Sequence, residues 1–525
     1  MLWGSNARET HPIFFHHVLK GLRRGARLFV VDPRRTSSAD WADTWAGLQV
    51  GTDIALANGL AHIILRDGLE NRAFIGRATT GFDAYRDVVL RDYAPERVAA
   101  ITGVDVATLE RMAHTYARAD RAIICWTLGI TEHHNAVDNV LALINLALLT
   151  GHVGRWGSGL NPLRGQNNVQ GGGDMGALPN KLTGFQDVDD PVARAKFERA
   201  WGVTIPPEPG WHLTDMFAAM ERGELRALHV IGENPARSEA DGGRANHLLG
   251  NLDTLIVQDL FLTSTAEMAD VVLPASASFA EAEGTVTNSE RRVQRVRRAV
   301  APPAGARDDI AILAELSRRL GRDLGDPTPE QLWDELRALS PMHGGMSYAR
   351  LEALGGIQWP CPDEASAGEP FLHGGLWAEP VEGMLAPFHV VLQVAPVDRL
   401  DDDFPLRLTT GRRLESFNTG VQSGSYPSPL RRRESLDISA TDAARHGIVD
   451  GEIVKVSSRR GSVEAPVRID ATLRPGLVFM TFHFPDQVDT NVLTIDATDP
   501  KSGTAEFKAA AVRIDRLART GSSAA

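Results

Sequence analysis

The most unusual chemistry of this sequence lies in residues 159–179, which hold six glycines, several asparagines and glutamines, and a single positive charge, Arg164. Glycine lets backbone amides approach a ligand closely, and carboxamides both donate and accept hydrogen bonds, so this composition suits a large polar ligand. The alternative is a flexible surface linker, but linkers are usually rich in Ser, Glu and Lys. The composition therefore favours a ligand-binding loop.

Further polar residues follow short apolar runs that are each succeeded by helix-like sequence, at 27–34, 122–129, 227–235, 254–261 and 269–274. Near-continuous apolar runs that alternate with helices predict parallel strands covered on both faces, in a doubly wound α/β fold. Ligands bind such folds at the carboxyl ends of the strands. The residues predicted at those ends are Asp32, Gly129, Gly232, Glu233 and Asp259. Taken alone, a strand-end Asp or Gly is more commonly a turn former.

Apolar periodicity predicts helices at 53–65, 95–118, 137–149, 213–222 and 310–320. Residues 322–385 show no sustained period and indicate an irregular connection. Short strands are predicted from there on, at 390–394, 406–411, 453–458, 462–469 and 477–482. Ser439 or Thr441 is expected to cap a short helix that ends at Gly447.

These patterns divide the chain into four parts. Two α/β domains cover 1–165 and 166–330, an irregular connection covers 331–385, and a C-terminal β-barrel-like domain covers 386–525. No period of 20–50 residues is visible, which excludes solenoid and propeller folds.

Composition excludes several classes of protein. The 525 residues are 43% hydrophobic and carry a formal net charge of −12, which argues against a nucleic-acid binder. The two cysteines, Cys125 and Cys361, form no CxxC motif and predict neither a disulfide framework nor a thiolate metal site. Residues 137–149 are too short to span a membrane, and no export signal is present, which favours the cytoplasm.

Three basic or imidazole clusters have simple structural interpretations. His133 and His134 are adjacent and diverge on either a strand or a helix, so they are interpreted as structural or surface residues. The arginines of 291–298 favour a polar strand or strand pair, bonded to internal carboxylates or a phosphate, over a nucleic-acid site. Arg412 and Arg413 follow a strand and could form an anion clamp or simply be solvated charges.

The motifs at 161–170, 174–179, 231–235, 257–262, 269–274 and 287–294 resemble, in order and spacing, the catalytic alpha subunit of molybdopterin-dependent formate dehydrogenases. That family belongs to the dimethyl sulfoxide reductase superfamily. The similarity covers nearly the whole chain, and the first of these motifs is specific to this branch. The family implies oxidation of formate to CO2.

The resemblance also implies a molybdenum or tungsten ion held by two molybdopterin guanine dinucleotides. Arg164 would stand near the metal, orient formate and stabilise negative charge as the C–H bond breaks. Similarity to the family motifs places the following residues around the cofactors: Asn6, Asp32, Arg34, Gly51, Asp53, Gly129, Gln166, Gly232, Glu233, Asn234, Gln258, Asp259, Gly411, Arg412, Asn491 and Lys508.

One departure from the family pattern concerns the metal ligand. Relatives begin with a Cys-ligated iron–sulfur segment and then carry a Cys or selenocysteine followed by His, and neither occurs in this sequence. Cys125 lies in an apolar run and is interpreted as a core thiol. The sequence therefore predicts a truncated catalytic subunit that supplies neither the iron–sulfur cluster nor a metal-ligating residue.

This departure leaves two interpretations open. The chain is a formate dehydrogenase component that works with electron-transfer subunits or with a chain supplying the N-terminal part. Alternatively, it is a catalytically incomplete cofactor-binding or scaffold subunit, or one half of a split enzyme.

Overall fold

A computed structural model describes residues 1–414, 416, 418 and 434–517. The chain forms two compact units. The first comprises Met1–Leu163, Ala236–His247 and the described part of His373–Ala525, and the second comprises Arg164–Pro235 and Leu248–Leu372. These boundaries differ from the predicted divisions after 165, 330 and 385, because the chain leaves the first unit and returns to it twice.

A parallel five-stranded sheet in the order β3-β2-β1-β5-β6 organises the first unit. Its strands are β1 (Leu2–Trp3), β2 (Phe29–Val31), β3 (Thr44–Ala46), β5 (Ile123–Trp126) and β6 (Gly159–Pro162), while β4 (Thr79–Thr80) pairs with β15 (Ala386–Pro387). Leu2 lies opposite Val30 on one side and Cys125 on the other. Burial raises the pKa of the Cys125 thiol to about 11, in agreement with the predicted core thiol.

Nine helices precede or cover this sheet: α1 (Ala7–Thr10), α2 (Pro12–Leu22), α3 (Asp53–Arg66), α4 (Arg72–Ala78), α5 (Phe82–Asp92), α6 (Pro95–Thr102), α7 (Val106–Arg118), α8 (Leu128–Thr131) and α9 (Ala136–Thr150). Helix α3 is central, since all its residues from Asp53 to Ile64 are buried and it packs against α5, α6, α7 and α9. The single helix predicted at 95–118 is two helices. Gly103 ends α6 at a φ of 75°, and the Asp105 side chain caps α7.

The C-terminal part of the first unit forms a closed barrel in the strand order β16-β20-β17-β19-β18-β21. The strands are β16 (Leu406–Thr410), β17 (Leu436–Ile438), β18 (Ile453–Ser457), β19 (Ser462–Ile469), β20 (Leu477–Met480) and β21 (Ala510–Arg516). The predicted short helix is α19 (Ala440–His446), capped by Ser439 and ended by Gly447 at a φ of 64°. The predicted fold class, parallel α/β followed by a β-barrel, is confirmed.

The strand predicted at 390–394 is wrong. No strand forms there, and side chains of two helices bond to the backbone at His389 and Val391. The Asn58 amide of α3 donates to the Val391 carbonyl at 3.1 Å. The Asn145 side chain of α9 donates to the His389 carbonyl at 2.7 Å and accepts from its N–H at 3.0 Å. An apolar run alone does not reveal such partners.

The second unit contains a parallel sheet in the order β11-β10-β9 and an antiparallel sheet in the order β12-β13-β14. Its strands are β7 (Lys181–Leu182), β8 (Gln186–Asp187), β9 (Ala227–Ile231), β10 (Thr254–Asp259), β11 (Val271–Pro274), β12 (Gly284–Thr287), β13 (Arg292–Val296) and β14 (Ile357–Gln358). The basic segment 291–298 thus forms a strand pair, as predicted, and Arg295 contacts Glu283 at 2.7 Å.

The remaining helices are α10 (Val169–Asp174), α11 (Pro191–Trp201), α12 (Leu213–Glu221), α13 (Pro235–Ser238), α14 (Gly242–Gly250), α15 (Ser264–Glu267), α16 (Asp309–Arg319), α17 (Pro329–Leu339) and α18 (Tyr348–Leu354). Helices α17 and α18 correct the prediction of an irregular connection at 331–385. Thr328 and Gln331 form a capping box at α17, and Trp333 packs into a buried cluster with Trp359. These helices are short and separated by glycine turns, which hides their period. Among the described residues, no helix is long and apolar enough to cross a membrane.

Candidate functional site

The carboxyl ends of β1, β2, β3 and β5 meet the barrel at a cleft within the first unit. The cleft is lined by the segments that follow these strands, together with the end of β16 and the residue Lys508. Nine of the predicted cofactor residues line it: Asn6, Asp32, Arg34, Gly51, Asp53, Gly129, Gly411, Arg412 and Lys508. The strand-end rule thus brings together residues that are up to 502 positions apart (508 − 6).

Two glycines let the ends of β1 and β5 approach each other closely. A Cβ on Gly129 would lie 2.6 Å from the Cα of Gly4, closer than any real side chain tolerates. Gly4 adopts a φ of 55°, and its carbonyl accepts from the Thr127 hydroxyl at 2.7 Å. The floor of the cleft is therefore backbone, which leaves room for a bulky ligand.

Two buried carboxylates belong to this cleft. Asp32 accepts a hydrogen bond from the N–H of Arg34 at 2.9 Å, and Asp53 accepts one from the Trp3 indole at 2.8 Å. Burial raises the pKa of both groups. A ligand that donates hydrogen bonds, such as a guanine or ribose, would stabilise these carboxylates.

Buried cations face the same space. Lys508 forms an ion pair with Glu132 at 2.5 Å, and Arg412 lies 3.7 Å from the same residue. Arg34 stacks on the Phe479 ring at 3.6 Å. Burial lowers the pKa of both Lys508 and Arg34, so an anionic ligand nearby would favour their charged forms.

Some predicted residues of the cleft have a structural partner. The Asn6 side-chain oxygen accepts from the Ser38 hydroxyl at 2.8 Å and so fixes the loop after β2. Arg412 donates to the Asn418 side chain at 2.6 Å. Arg413, its neighbour, is paired with Asp437 and is only 11% exposed, so it is not a solvated charge.

The sequence did not identify the pair His133 and Glu506 as part of this site. His133 is 2% exposed and lines the cleft, with its Nδ1 at 3.2 Å from Glu506 and its Nε2 at 3.2 Å from the Gly129 carbonyl. His134 lies 3.2 Å from the same carboxylate. His133 and His134 are therefore structural residues, as one of the two interpretations held, and they are not surface residues. The one available signal was the position of Glu506, two residues before the predicted cofactor residue Lys508.

In the second unit, the predicted residues cluster at the ends of β9 and β10. Gly232, at a φ of 63°, and Glu233 follow β9, while Gln258 and Asp259 end β10. The Asn234 side chain accepts from the hydroxyl of Thr265 at 2.7 Å and from its N–H at 3.1 Å, so it holds the loop after β9.

Gln258 and Asp259 have the properties of ligand contacts. The Gln258 side chain is fully buried and donates to Asp309 at 2.5 Å, but among the described residues its Oε1 has no hydrogen-bond partner. Asp259 is half-buried, and this burial raises its pKa. An unpaired buried oxygen is costly unless a ligand or water donates to it.

Asn491 lies in a 3-10 helix of the first unit, outside the residues that line the cleft. Its amide donates to the Arg237 carbonyl at 2.9 Å, while its buried Oδ1 has no partner within the described part of the chain. Gly242 packs directly against its backbone.

The loop that contains Arg164 and Gln166 begins the second unit, and both side chains are exposed. The Arg164 Nε donates to Gln170 at 3.2 Å. The loop runs from β6 to α10. Its Asn168 side chain accepts from the Thr287 N–H at 2.9 Å and anchors it to β12.

These features fit a dinucleotide-like polyanion in chemical terms. Buried cations suit phosphates, buried carboxylates suit a base or ribose, and the backbone floor at Gly4 and Gly129 suits close approach. Within the described part of the chain, the buried oxygens of Gln258 in the second unit and of Asn491 in the first have no hydrogen-bond partner.

Comparison with protein families agrees with this chemistry. Residues 1–319 match the family described as molybdopterin oxidoreductase, and residues 406–511 match the molydopterin dinucleotide binding domain. The second match begins at β16 and ends inside β21, and so spans the barrel. The predicted class of cofactor, a molybdopterin dinucleotide, is thereby confirmed.

Curated relatives are similar over nearly the whole chain. The F420-dependent formate dehydrogenase 2 subunit alpha of Methanococcus maripaludis is 39% identical over 98% of this chain and 76% of its own length. Formate dehydrogenase H of Escherichia coli is 36% identical over 98% of this chain and 72% of its own length.

A solved structure shows the same fold. Acetylene hydratase from Pelobacter acetylenicus superimposes with a TM-score of 0.74 at 19% identity, covering 98% of this chain and 77% of its own. At this identity the match concerns the fold alone. Taken with the family and relative matches, the chain belongs to the molybdopterin oxidoreductase family, among the alpha subunits of formate dehydrogenases.

Proposed function

We propose that this protein oxidises formate to CO2, one proton and two electrons at a molybdenum or tungsten ion held by two molybdopterin guanine dinucleotides. The observation that carries the proposal is the identity of 36–39% to formate dehydrogenases over 98% of the chain. The lining of the cleft, with its buried cations and carboxylates, supports a dinucleotide ligand in the first unit.

The proposed cofactor contacts are the strand-end residues of both units. In the first unit, Lys508, Arg34 and Arg412 would neutralise phosphates, and Asp32 would accept hydrogen bonds from guanine or ribose. In the second unit, Gln258 and Asp259 would act as acceptors. Gln166, Glu233 and Asn491 remain further proposed contacts. When bound, the metal and its dithiolenes take up the two electrons removed from formate.

Arg164 is the proposed substrate-binding residue. Its planar guanidinium can hold a carboxylate through two parallel hydrogen bonds and so fix the direction of the formate C–H bond. It also stabilises negative charge while that bond breaks. Within the second unit, the bond from the Thr287 N–H of β12 to the Asn168 side chain anchors the loop that carries Arg164.

The electrons are proposed to leave through electron-transfer subunits, since the relatives are named as alpha subunits. Cys125 and Cys361 are both buried and lie in different units, so the iron–sulfur cluster that the family implies is not assigned to them.

The test uses protein purified anaerobically from cells supplied with molybdate or with tungstate. We expect formate-dependent reduction of a viologen dye, with metal and guanine nucleotide bound at about one metal per chain. Replacing one such transition-state donor typically lowers kcat by about 10²–10³, so Arg164→Ala should lose this much and Arg164→Lys less. Arg199→Ala, an exposed arginine on α11, is the matched control.

The metal content decides the interpretation of a negative result. Protein with full metal and pterin content that fails to reduce the dye with formate would contradict the proposed reaction and favour a cofactor-binding scaffold. An Arg164→Ala variant with wild-type kcat and KM would contradict the role of that residue alone.

A further inference from the structure

A chain of hydrogen bonds runs from Arg164 into the core of the second unit. The Arg164 Nε donates to the Gln170 Oε1 at 3.2 Å, and the Gln170 Nε2 donates to the Asp174 Oδ1 at 3.3 Å. Both partners belong to α10, where a spacing of four residues places them on one face of the helix. The exposed arginine is thus connected to a fully buried carboxylate.

The chemistry of the two ends fixes the orientation of the carboxamide between them. A guanidinium can only donate hydrogen bonds, and a carboxylate can only accept them. The Gln170 oxygen must therefore face Arg164, and its NH2 group must face Asp174. The opposite orientation would place a donor against a donor and an acceptor against an acceptor.

Asp174 is a rigid anchor for this chain. Its Oδ2 accepts from the Trp359 indole at 3.1 Å, and its carbonyl accepts from the Gly184 N–H at 2.8 Å. Trp359 itself belongs to the buried apolar cluster behind α17 and α18. The His343 ring lies on the same side, with Nε2 at 3.8 Å from Asp174.

We propose that Gln170 and Asp174 are positioning residues that hold the Arg164 guanidinium for its anionic substrate. The inference rests on the proposed function of Arg164. An exposed arginine has large rotamer freedom, and a fixed hydrogen bond to Nε removes much of it before the substrate arrives. Gln170 is a neutral acceptor, so it restrains Arg164 without adding a negative charge beside the anion site. The negative charge of Asp174 is separated from Arg164 by the Gln170 carboxamide.

The inference makes separate predictions for three variants. Gln170→Ala removes the acceptor, so the KM for formate should rise about tenfold, the effect of one hydrogen bond to a charged group, with a smaller fall in kcat. Gln170→Glu keeps the acceptor but adds a charge, so KM should rise by at least as much and depend less on ionic strength. In Asp174→Asn, the Gln170 carboxamide has no fixed orientation, so the KM for formate should rise as it does in Gln170→Ala.

The experiment measures kcat and KM of the holoenzyme for formate, and calorimetric binding of nitrate, a planar anion without a C–H bond. Gln331→Glu is the matched control, because it changes the same charge at an exposed capping position of α17 and keeps its acceptor. Since Asp174 is buried, Asp174→Asn can also disturb folding, and so can Gln170→Glu, whose carboxylate faces that of Asp174; Gln170→Ala, at a partly exposed site, does not share this risk.

A purely structural role would lower the active fraction, and thus kcat, while leaving KM and nitrate affinity unchanged. That result in both Gln170 variants, with an active wild type, would overturn the inference and leave the proposed function intact. An inactive wild type with full cofactor content would overturn the proposed function instead, and nitrate affinity would still report on the arginine.

Discussion

The buried carboxylate of Glu506 gives the sharpest prediction for the first unit. It is 1% exposed and accepts from the N–H of Lys508 at 2.9 Å and from that of His134 at 3.1 Å, with the His133 ring at 3.2 Å. The substitution Glu506→Gln keeps the size of the side chain but removes its charge. It therefore isolates the electrostatic part of the contact between the β5 end and the barrel.

Glu506→Gln is expected to lower the free energy of unfolding strongly because two effects add. Removing one partner of a buried ion pair costs about 3–5 kcal/mol. The new NH2 group must also point at one of the donors that Glu506 now accepts from, which costs about 1–3 kcal/mol. We expect the free energy of unfolding to fall by at least about 4 kcal/mol near pH 6.

The loss must depend on pH. Burial opposes the charged form of Glu506, but the contacts with His133 and His134 outweigh this effect, so the pKa of Glu506 is lowered. The stabilisation of the folded protein by this carboxylate is therefore present above the unfolded pKa of about 4.3 and is lost as the pH falls. Burial likewise opposes the charged form of His133, but the charges of Glu506 and Asp53 outweigh it, so its pKa is raised. That stabilisation is full below the unfolded pKa of about 6.5 and lost as pH rises through the folded value.

Thermal and urea unfolding of the full chain between pH 5 and pH 9 would test this reasoning. The deficit of Glu506→Gln should be largest between about pH 5 and pH 6.5 and shrink at higher pH. Glu464→Gln, at an exposed position of β19, is the control and should show no deficit. A deficit of equal size at every pH, or none, would refute the charge-pair explanation.

Three further predictions follow from other contacts of this unit. Gly129→Ala places a Cβ against Gly4 and should lower the unfolding free energy by about 1–3 kcal/mol, whereas Gly76→Ala, in open space on α4, should be neutral or slightly stabilising in the same melts. Lys508→Met removes a buried cation from the cleft and should reduce bound metal and guanine nucleotide at least about tenfold, measured by metal analysis and nucleotide release. The Cys125 thiol, with a pKa of about 11, should resist iodoacetamide at pH 8 until the protein is denatured.

Much of the fold was predictable because its signals are local. The strands β2, β5, β9, β10 and β11 lie within the predicted apolar runs, and the helices α3, α9, α12 and α16 within one or two residues of their predicted ends. One error came from partners distant in sequence. The backbone at His389 and Val391 bonds to the side chains of Asn145 and Asn58, and no local pattern carries that information.

In the site, too, local signals were predictable and partners distant in sequence were not. The strand-end rule needs only the order of strands and helices, so it placed Asp32 and Asp259 correctly at strand ends, while Gly129 lies in α8, just after β5. It could not find His133, because the role of that residue depends on Glu506, which lies 373 positions away. Likewise, the chain of hydrogen bonds from Arg164 to Asp174 depends on the short helix α10, whose glycines make it hard to predict.

The buried ion pairs explain how an acidic chain can bind a polyanion. With a net charge of −12, its surface as a whole does not attract phosphates. The cleft instead places carboxylates beside individual cations: Glu132 pairs with Lys508 and Arg412, and Glu506 pairs with His133. Although burial opposes the charged form of Glu132, Lys508 and Arg412 lower its pKa, so this carboxylate is charged at neutral pH. With the proposed contacts, the positive charge that would meet the ligand is therefore set during folding and is shielded from salt, so cofactor retention should depend much less on ionic strength than the proposed binding of formate at the exposed Arg164.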